Sequence, residues 1–197
     1  SQPQAGMQSG GQTRSVIKVI IQSIVETFQS FKGGMDKNKL LTFEAILSGN
    51  VITSLTSSGL KDSDYTMGLA EVSTLFVQLA QKLSNENVTT TEVVNMISFG
   101  LVSGLKSSGA TDAEIAERLR IIGESVIKGA GDLVDGSFLT SVNDISAGIV
   151  KGIQELQLSD TATKNATQQA VAGMTSSLTQ LPNINADVAA LESATQS

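Results

Sequence analysis

Apolar residues recur every three or four positions along most of this chain, and short polar joints interrupt them at regular intervals. From about Thr13 to Phe31, Val16, Ile17, Ile20, Ile24 and Phe28 fall on one helical face, widened by Val19, Ile21, Val25 and Phe31. So broad a face predicts a strongly buried first helix, ended by Gly33-Gly34. Val16 to Val25 is also dense in β-branched residues, which prefer strands, so period and propensity disagree there and the period decides. Asp36 is placed to cap a second helix that carries Leu40, Phe43, Ile46, Leu47, Val51 and Leu55. That helix is open to bending at Gly49-Asn50 and stops at Gly59, a natural left-handed cap. Asp62 or Ser63 opens a third, reaching Leu83 through Tyr65, Leu69, Val72 and Phe76.

Thr89 with Glu92, and Thr111 with Glu114, are capping boxes in which a hydroxyl and a carboxylate each satisfy a free backbone N–H. They open a fourth helix toward Gly109 and a fifth through Val126. After a loose stretch from Lys128 to Gly136, a sixth helix is expected from about Ser137 to Leu156. A seventh, less apolar, runs from Ser159 or Asp160 to the stop at Pro182, and Asn185 to Ala194 reads as a short final helix.

One stretch occurs three times, about 50 residues apart: Asn50 to Tyr65, Gly100 to Ile115 and Gly148 to Thr163. Leu55, Leu105 and Ile153 correspond, as do Asp62, Asp112 and Asp160. Each copy is a helix end, a break and a new cap, which marks a repeated helix pair. The intervening helices align too: Ile17, Ile21, Ile24 and Phe28 match Tyr65, Leu69, Val72 and Phe76, then Ile115, Leu119, Ile122 and Val126. The fold class is therefore all-α, a single bundle of about six to eight helices built from repeated pairs. Its bounds are 13–191, between Gln/Gly/Ser-rich flexible linkers at 1–12 and 192–197. Gly100 with Gly104, and Gly148 with Gly152, take equivalent places in the repeat, with Asn50 and Ser54 in the first copy. Small residues four apart let helices approach closely. Glycine also costs ~1 kcal/mol against alanine within a helix, so such helices open easily.

Composition narrows the chemistry. Aromatics are only 4% with no Trp, so the core is aliphatic, and charged residues are only 16%, so the surface is dominated by neutral polar side chains. Net charge is −6 and the 13 Lys and Arg are scattered singly, which disfavours nucleic acid and leaves no polybasic segment for a membrane surface. With 0 His and 0 Cys there is no Ser–His or Cys–His nucleophile, no disulfide framework and no thiolate metal site. The chain opens on Ser and shows no signal peptide or transmembrane run, so it reads as a processed unit of something longer.

Gly129 to Gly136 superficially suggests a phosphate-cradling loop, but it lacks the Gly-Lys-Ser/Thr ending and follows no strand, so it reads as a helix–helix turn. Asp132, Asp135 and Asp144 lack the alternating oxygen ligands of a calcium loop. Asp36, Asp62, Glu92, Asp112, Glu114 and Asp160 are accounted for by helix starts, and the other acids are expected mostly on polar faces. Asn87-Val-Thr89 and Asn165-Ala-Thr167 match the glycosylation sequon, which arises readily by chance in a Thr-rich chain. No catalytic group, cofactor or metal site is expected.

The Gln/Gly/Ser tails, the Ser/Thr-rich joints Thr56-Ser-Ser-Gly59 and Lys106-Ser-Ser-Gly109, and the lack of Cys, His and Trp resemble the repetitive unit of a spider silk protein, most like an aciniform (wrapping-silk) spidroin. The absence of poly-Ala and Gly-Gly-X blocks departs from the major ampullate type, and tubuliform and pyriform types stay open. The resemblance implies a secreted, extracellular structural protein, in silk-gland lumen and fibre, that associates with other copies of itself and with other silk chains. It also implies a soluble helical store that converts partly to β-sheet under shear and dehydration. The candidate for that step is Val16, Ile17, Val19, Ile20, Ile21, Ile24 and Val25, a segment of high β propensity and low charge without Gly or Pro, expected to be protected in solution. Two other readings are a helical-repeat module that binds a protein or apolar ligand in a groove, and a bacterial surface or secretion-system structural protein.

Overall fold

Helix caps fall where short-range chemistry places them. In the computed structural model, which describes residues 4–60, 62–133 and 138–181, eight α-helices follow one another. They are α1 (Gln4–Gln29), α2 (Lys37–Ser57), α3 (Asp62–Gln78), α4 (Ala80–Leu83), α5 (Thr90–Ser103), α6 (Asp112–Gly131), α7 (Phe138–Glu155) and α8 (Asp160–Gln180). Asp36 accepts from the Lys39 N–H at 2.9 Å. Both capping boxes close: Glu92 N–H donates to Thr89 Oγ1 at 3.3 Å while Thr89 N–H donates to Glu92 Oε2 at 3.0 Å. The Thr111 and Glu114 bonds are 3.3 and 2.8 Å. Ser159 caps α8 by accepting from Ala162 N–H at 3.2 Å. Each such cap is worth ~1 kcal/mol.

The repeat becomes a two-layer stack. α1, α3, α6 and α8 lie side by side in one layer, and α2, α5 and α7 in the other. Each helix packs chiefly on its counterparts one unit earlier and one unit later, so the pairs α1/α2, α3/α5 and α6/α7 stack in chain order and α8 begins a fourth unit. Asp62, Asp112 and Asp160 are each the first residue of a first-layer helix. Between the layers, Ile21, Leu69 and Leu119 from one side and Ile52, Leu101 and Leu105 from the other are fully buried. The three copies share a left-handed joint: Gly59 (φ 78°), Gly109 (φ 63°) and Gln157 (φ 54°) stand at the same place in their copies and are the described residues with positive φ.

Several expectations are corrected. Helix α1 starts at Gln4, not Thr13, so residues 4–12 are helix where a linker was expected. Gln, Ala and Met are good helix formers, and Gly10 is held against the Met67 side chain of α3. The third helix does not reach Leu83 unbroken: it stops at Gln78, and the single turn α4 follows with Ala80 and Leu83 buried. Lys32 Nζ, from the 3₁₀ turn Lys32–Gly34, donates to the Lys82 carbonyl at 2.6 Å and caps that turn. Helix α2 runs through Gly49-Asn50 as one helix. The stretch from Lys128, expected to be loose, continues α6 to Gly131, because Gly129 lies against α3. Residues 1–3, Asp135, the expected final helix at 185–194 and the linker at 192–197 lie outside the described residues.

Candidate functional site

The expected conversion segment is only half protected. Ile17, Ile21 and Val25 point into the core and Ile24 is half-buried, but Val16, Val19 and Ile20 are 57%, 62% and 48% exposed. Counting every apolar position of α1 as core overstates its burial, because within its layer α1 has a helix neighbour on one side only, α3. Helices α1 and α2 meet through Phe28 and Phe43, whose rings stack at 5.0 Å, with Phe31 edge-on to both. Beyond those rings a groove of about 940 Å³ runs between them, lined by Ile20 and Ile24 on one wall and Leu47, Val51 and Ser54 on the other. Its lining is mostly apolar, which is the composition of a binding surface more than of ordinary solvent-facing helix.

The second set of expected residues lies at helix–helix contacts. Gly100 and Gly104 of the α5 end face α2: a side chain on Gly100 would collide with Ser48 Oγ and the Ala45 carbonyl, and one on Gly104 would stand 2.6 Å from the Gly49 carbonyl. Gly148 and Gly152 of α7 face α5, against the Asn95 carbonyl and, at 2.6 Å, Val102 Cβ. The first layer uses the same device, with Gly123 against the Ala170 carbonyl, Gly173 against that of Arg120, and Gly129 against that of Thr74. Backbones thus touch at every one of these steps, and Ser48 Oγ bridges one of them by donating to the Ile97 carbonyl at 3.3 Å. Cations stack across others: the Arg118 guanidinium lies 4.6 Å from the Tyr65 ring centre and Lys151 4.9 Å from that of Phe99.

One group escaped the sequence reading. Glu44, expected with the other acids on a polar face, is buried on α2, and neither carboxylate oxygen has a hydrogen-bond partner. Burial pushes its carboxyl up to about 8, against the opposing pull of the Lys32 ammonium; burial in turn lowers Lys32. The repeat held a signal for it: the equivalent positions in the later copies are Val94 and Val142. A carboxyl therefore sits where the architecture asks for valine, and at neutral pH it is mostly protonated. Glu92 and Glu114 are shifted the other way, chiefly by the Lys37 side chain and by the Thr111 N–H respectively.

Among the described residues no cluster of three metal-ligating side chains is present, and Asp132 accepts from the Gln78 amide at 2.9 Å. Asn87 and Asn165 are both exposed, the latter inside α8. No helix among the described residues is long and apolar enough to cross a membrane. No protein-family model matches the chain, and no curated protein matches it significantly.

Proposed function

We propose that this chain is the structural repeat unit of a silk-like fibre protein, kept in solution as stacked helix pairs and assembled with partial conversion of helix to β-sheet under shear and dehydration. The observation that carries this reading is the division within α1. Its β-branched run holds the core through Ile17, Ile21 and Val25 while presenting Val16, Val19 and Ile20 to solvent. Such a run, low in charge and free of Gly and Pro, pairs readily as strand once it leaves its neighbour, and α1 leaves only one layer neighbour behind when it does. The resemblance to aciniform silk repeats supports the same reading and puts the protein outside the cell, associating with further copies and other silk chains, without catalysis or cofactor. Infrared spectra before and after shear test it: part of the helical amide I band moves to the β position, and an unchanged band would reject the proposal.

The groove favours a second reading, a helical-repeat module that holds an amphipathic helix or an apolar ligand. That reading calls for a saturable one-to-one complex with a foreign partner and no shear-dependent change in the amide I band.

A further inference from the structure

We infer that the joint between α1 and α2 is a lock worked by one proton: while Glu44 is neutral, Lys32 ties the joint to α4, and when Glu44 ionises the tie opens. The lock stands without the fibre-unit reading; what its opening releases is taken from that reading.

The tie is a reciprocal set of contacts between two joints distant in the chain. Lys32 Nζ donates to the carbonyls of Lys82 and Ser84, at the end of α4. Asn85 Nδ2 reaches back to the carbonyls of Lys32 and Met35, at 3.4 and 3.5 Å. Together these bonds fasten the 3₁₀ turn Lys32–Gly34 to the chain that leads from α4 into α5.

Glu44 is the group that competes for the same ammonium. It is 1% exposed, and both carboxylate oxygens lack a hydrogen-bond partner. A neutral carboxyl leaves Lys32 on its two carbonyls. A buried carboxylate without a donor is costly until a cation or water reaches it. Lys32 is the charge that acts on it. The charges on the other surrounding elements are engaged elsewhere or point to solvent. Glu92, the one charged residue of α5, is held by Lys37 and the Thr89 N–H. Asp36 caps α2 through the Lys39 N–H. Glu26 of α1, Lys39 of α2, Lys82 of α4 and Glu86 in the joint after it are exposed, and residues 72–78 of α3 carry no charge.

An ionised Glu44 is therefore satisfied in one of two ways. It draws Lys32 off the two carbonyls, or it moves out to water and takes the start of α2 with it, and either breaks the tie. The closed form binds the Glu44 proton at about 8, and the open form, with Glu44 in water, near 4.5. The closed form thus holds the extra proton, and it loses ground as pH rises from 4.5 toward 8. Helix α1 meets α4 as well as α3, so opening this end leaves α1 on α3 alone. That frees one flank of the helix that carries the β-branched run.

Lysine reactivity tests the lock. The protein is acetylated briefly with an N-hydroxysuccinimide ester at a series of values between about pH 6 and pH 8, and mass spectrometry reads Lys32 relative to the exposed Lys18 and Lys164 of the same sample. In wild type that ratio is expected to climb by up to ~tenfold per pH unit while helical circular dichroism stays constant. In Glu44→Gln it stays flat, and in Glu44→Val, which carries the residue of the later copies, it stays flat as well. A flat wild-type ratio, variants that climb as steeply as wild type, or a loss of helix in step with the labelling would overturn the inference. A ratio that climbs as stated in a chain that gives no β amide band under shear at either end of the range would uphold the lock and remove the fibre reading.

Discussion

Gln157 occupies a backbone conformation that its two counterparts fill with glycine. At φ 54° its Cβ crowds the following carbonyl, which Gly59 and Gly109 avoid. Replacing Gln157 with Gly is expected to raise stability by ~1 kcal/mol, and Gly109→Ala to lower it by a similar amount, both read from denaturant midpoints. Glu44 gives a second residue-level prediction. Its carboxyl takes up its proton at about 8 in the fold and near 4.5 in the unfolded chain. Between those values the folded state holds the extra proton, so Glu44's contribution is complete below pH 4.5 and is lost as pH rises toward 8. The stability of wild type relative to Glu44→Gln is therefore expected to fall across that window, with a slope of up to ~1.4 kcal/mol per pH unit. Equal pH profiles for the two proteins would show that Glu44 is ionised and solvated.

At the scale of the element, close backbone approach decides which glycines matter. Gly148→Ala forces a methyl group into the Asn95 carbonyl and Ser98, and overpacking of this kind costs ~1–3 kcal/mol. Gly33→Ala, with nothing within 4 Å of the new methyl, is expected to be nearly neutral, and denaturant midpoints of the two variants check the contrast. Helix α1 offers a kinetic counterpart. Val16→Ala with Val19→Ala alters exposed positions and raises helix propensity, so the fold keeps its stability while shear-driven conversion slows, as measured by the growth of the β amide band. Helix starts were legible because a Thr89 hydroxyl and a Glu92 carboxylate act within one turn. The pair repeat was legible because Leu55, Leu105 and Ile153 mark one place in three copies. Three features depend on neighbours distant in the chain and were not. Gln4 to Gln12 become helix because Gly10 meets Met67, Gly129 extends α6 because it meets α3, and Glu44 is buried because α2 keeps the valine register of later repeats. Residue period reports which face of a helix is apolar, and it does not report whether another helix arrives to cover that face.

For the whole molecule, the same interface is used repeatedly and, among the described residues, ends without a further helix pair at α1 and α2. Inner units bury Ile97, Leu101, Ile145 and Ile149 where the first unit leaves Leu47 and Val51 along a groove. That asymmetry joins storage to assembly: the stack is held by backbone contacts within each copy, and its leading helix, α1, has a layer neighbour on one side only and carries the β-branched run from Val16 to Val25. A unit built this way is expected to change at α1 before α6, which has helix neighbours in its layer on both sides, α3 and α8. The most direct measurement is isotope-edited infrared spectroscopy of sheared protein, carrying carbonyl ¹³C label either in valine or in arginine. Labelled valines report Val16, Val19 and Val25 together with those elsewhere, and the two Arg residues of α6, with Arg14 at the start of the run, give the contrast once Arg14→Lys removes the latter label. The account predicts a shifted band at the β position for valine while the α6 arginine band stays helical. A valine band that stays helical in drawn fibre, or an α6 band that converts first, would contradict it.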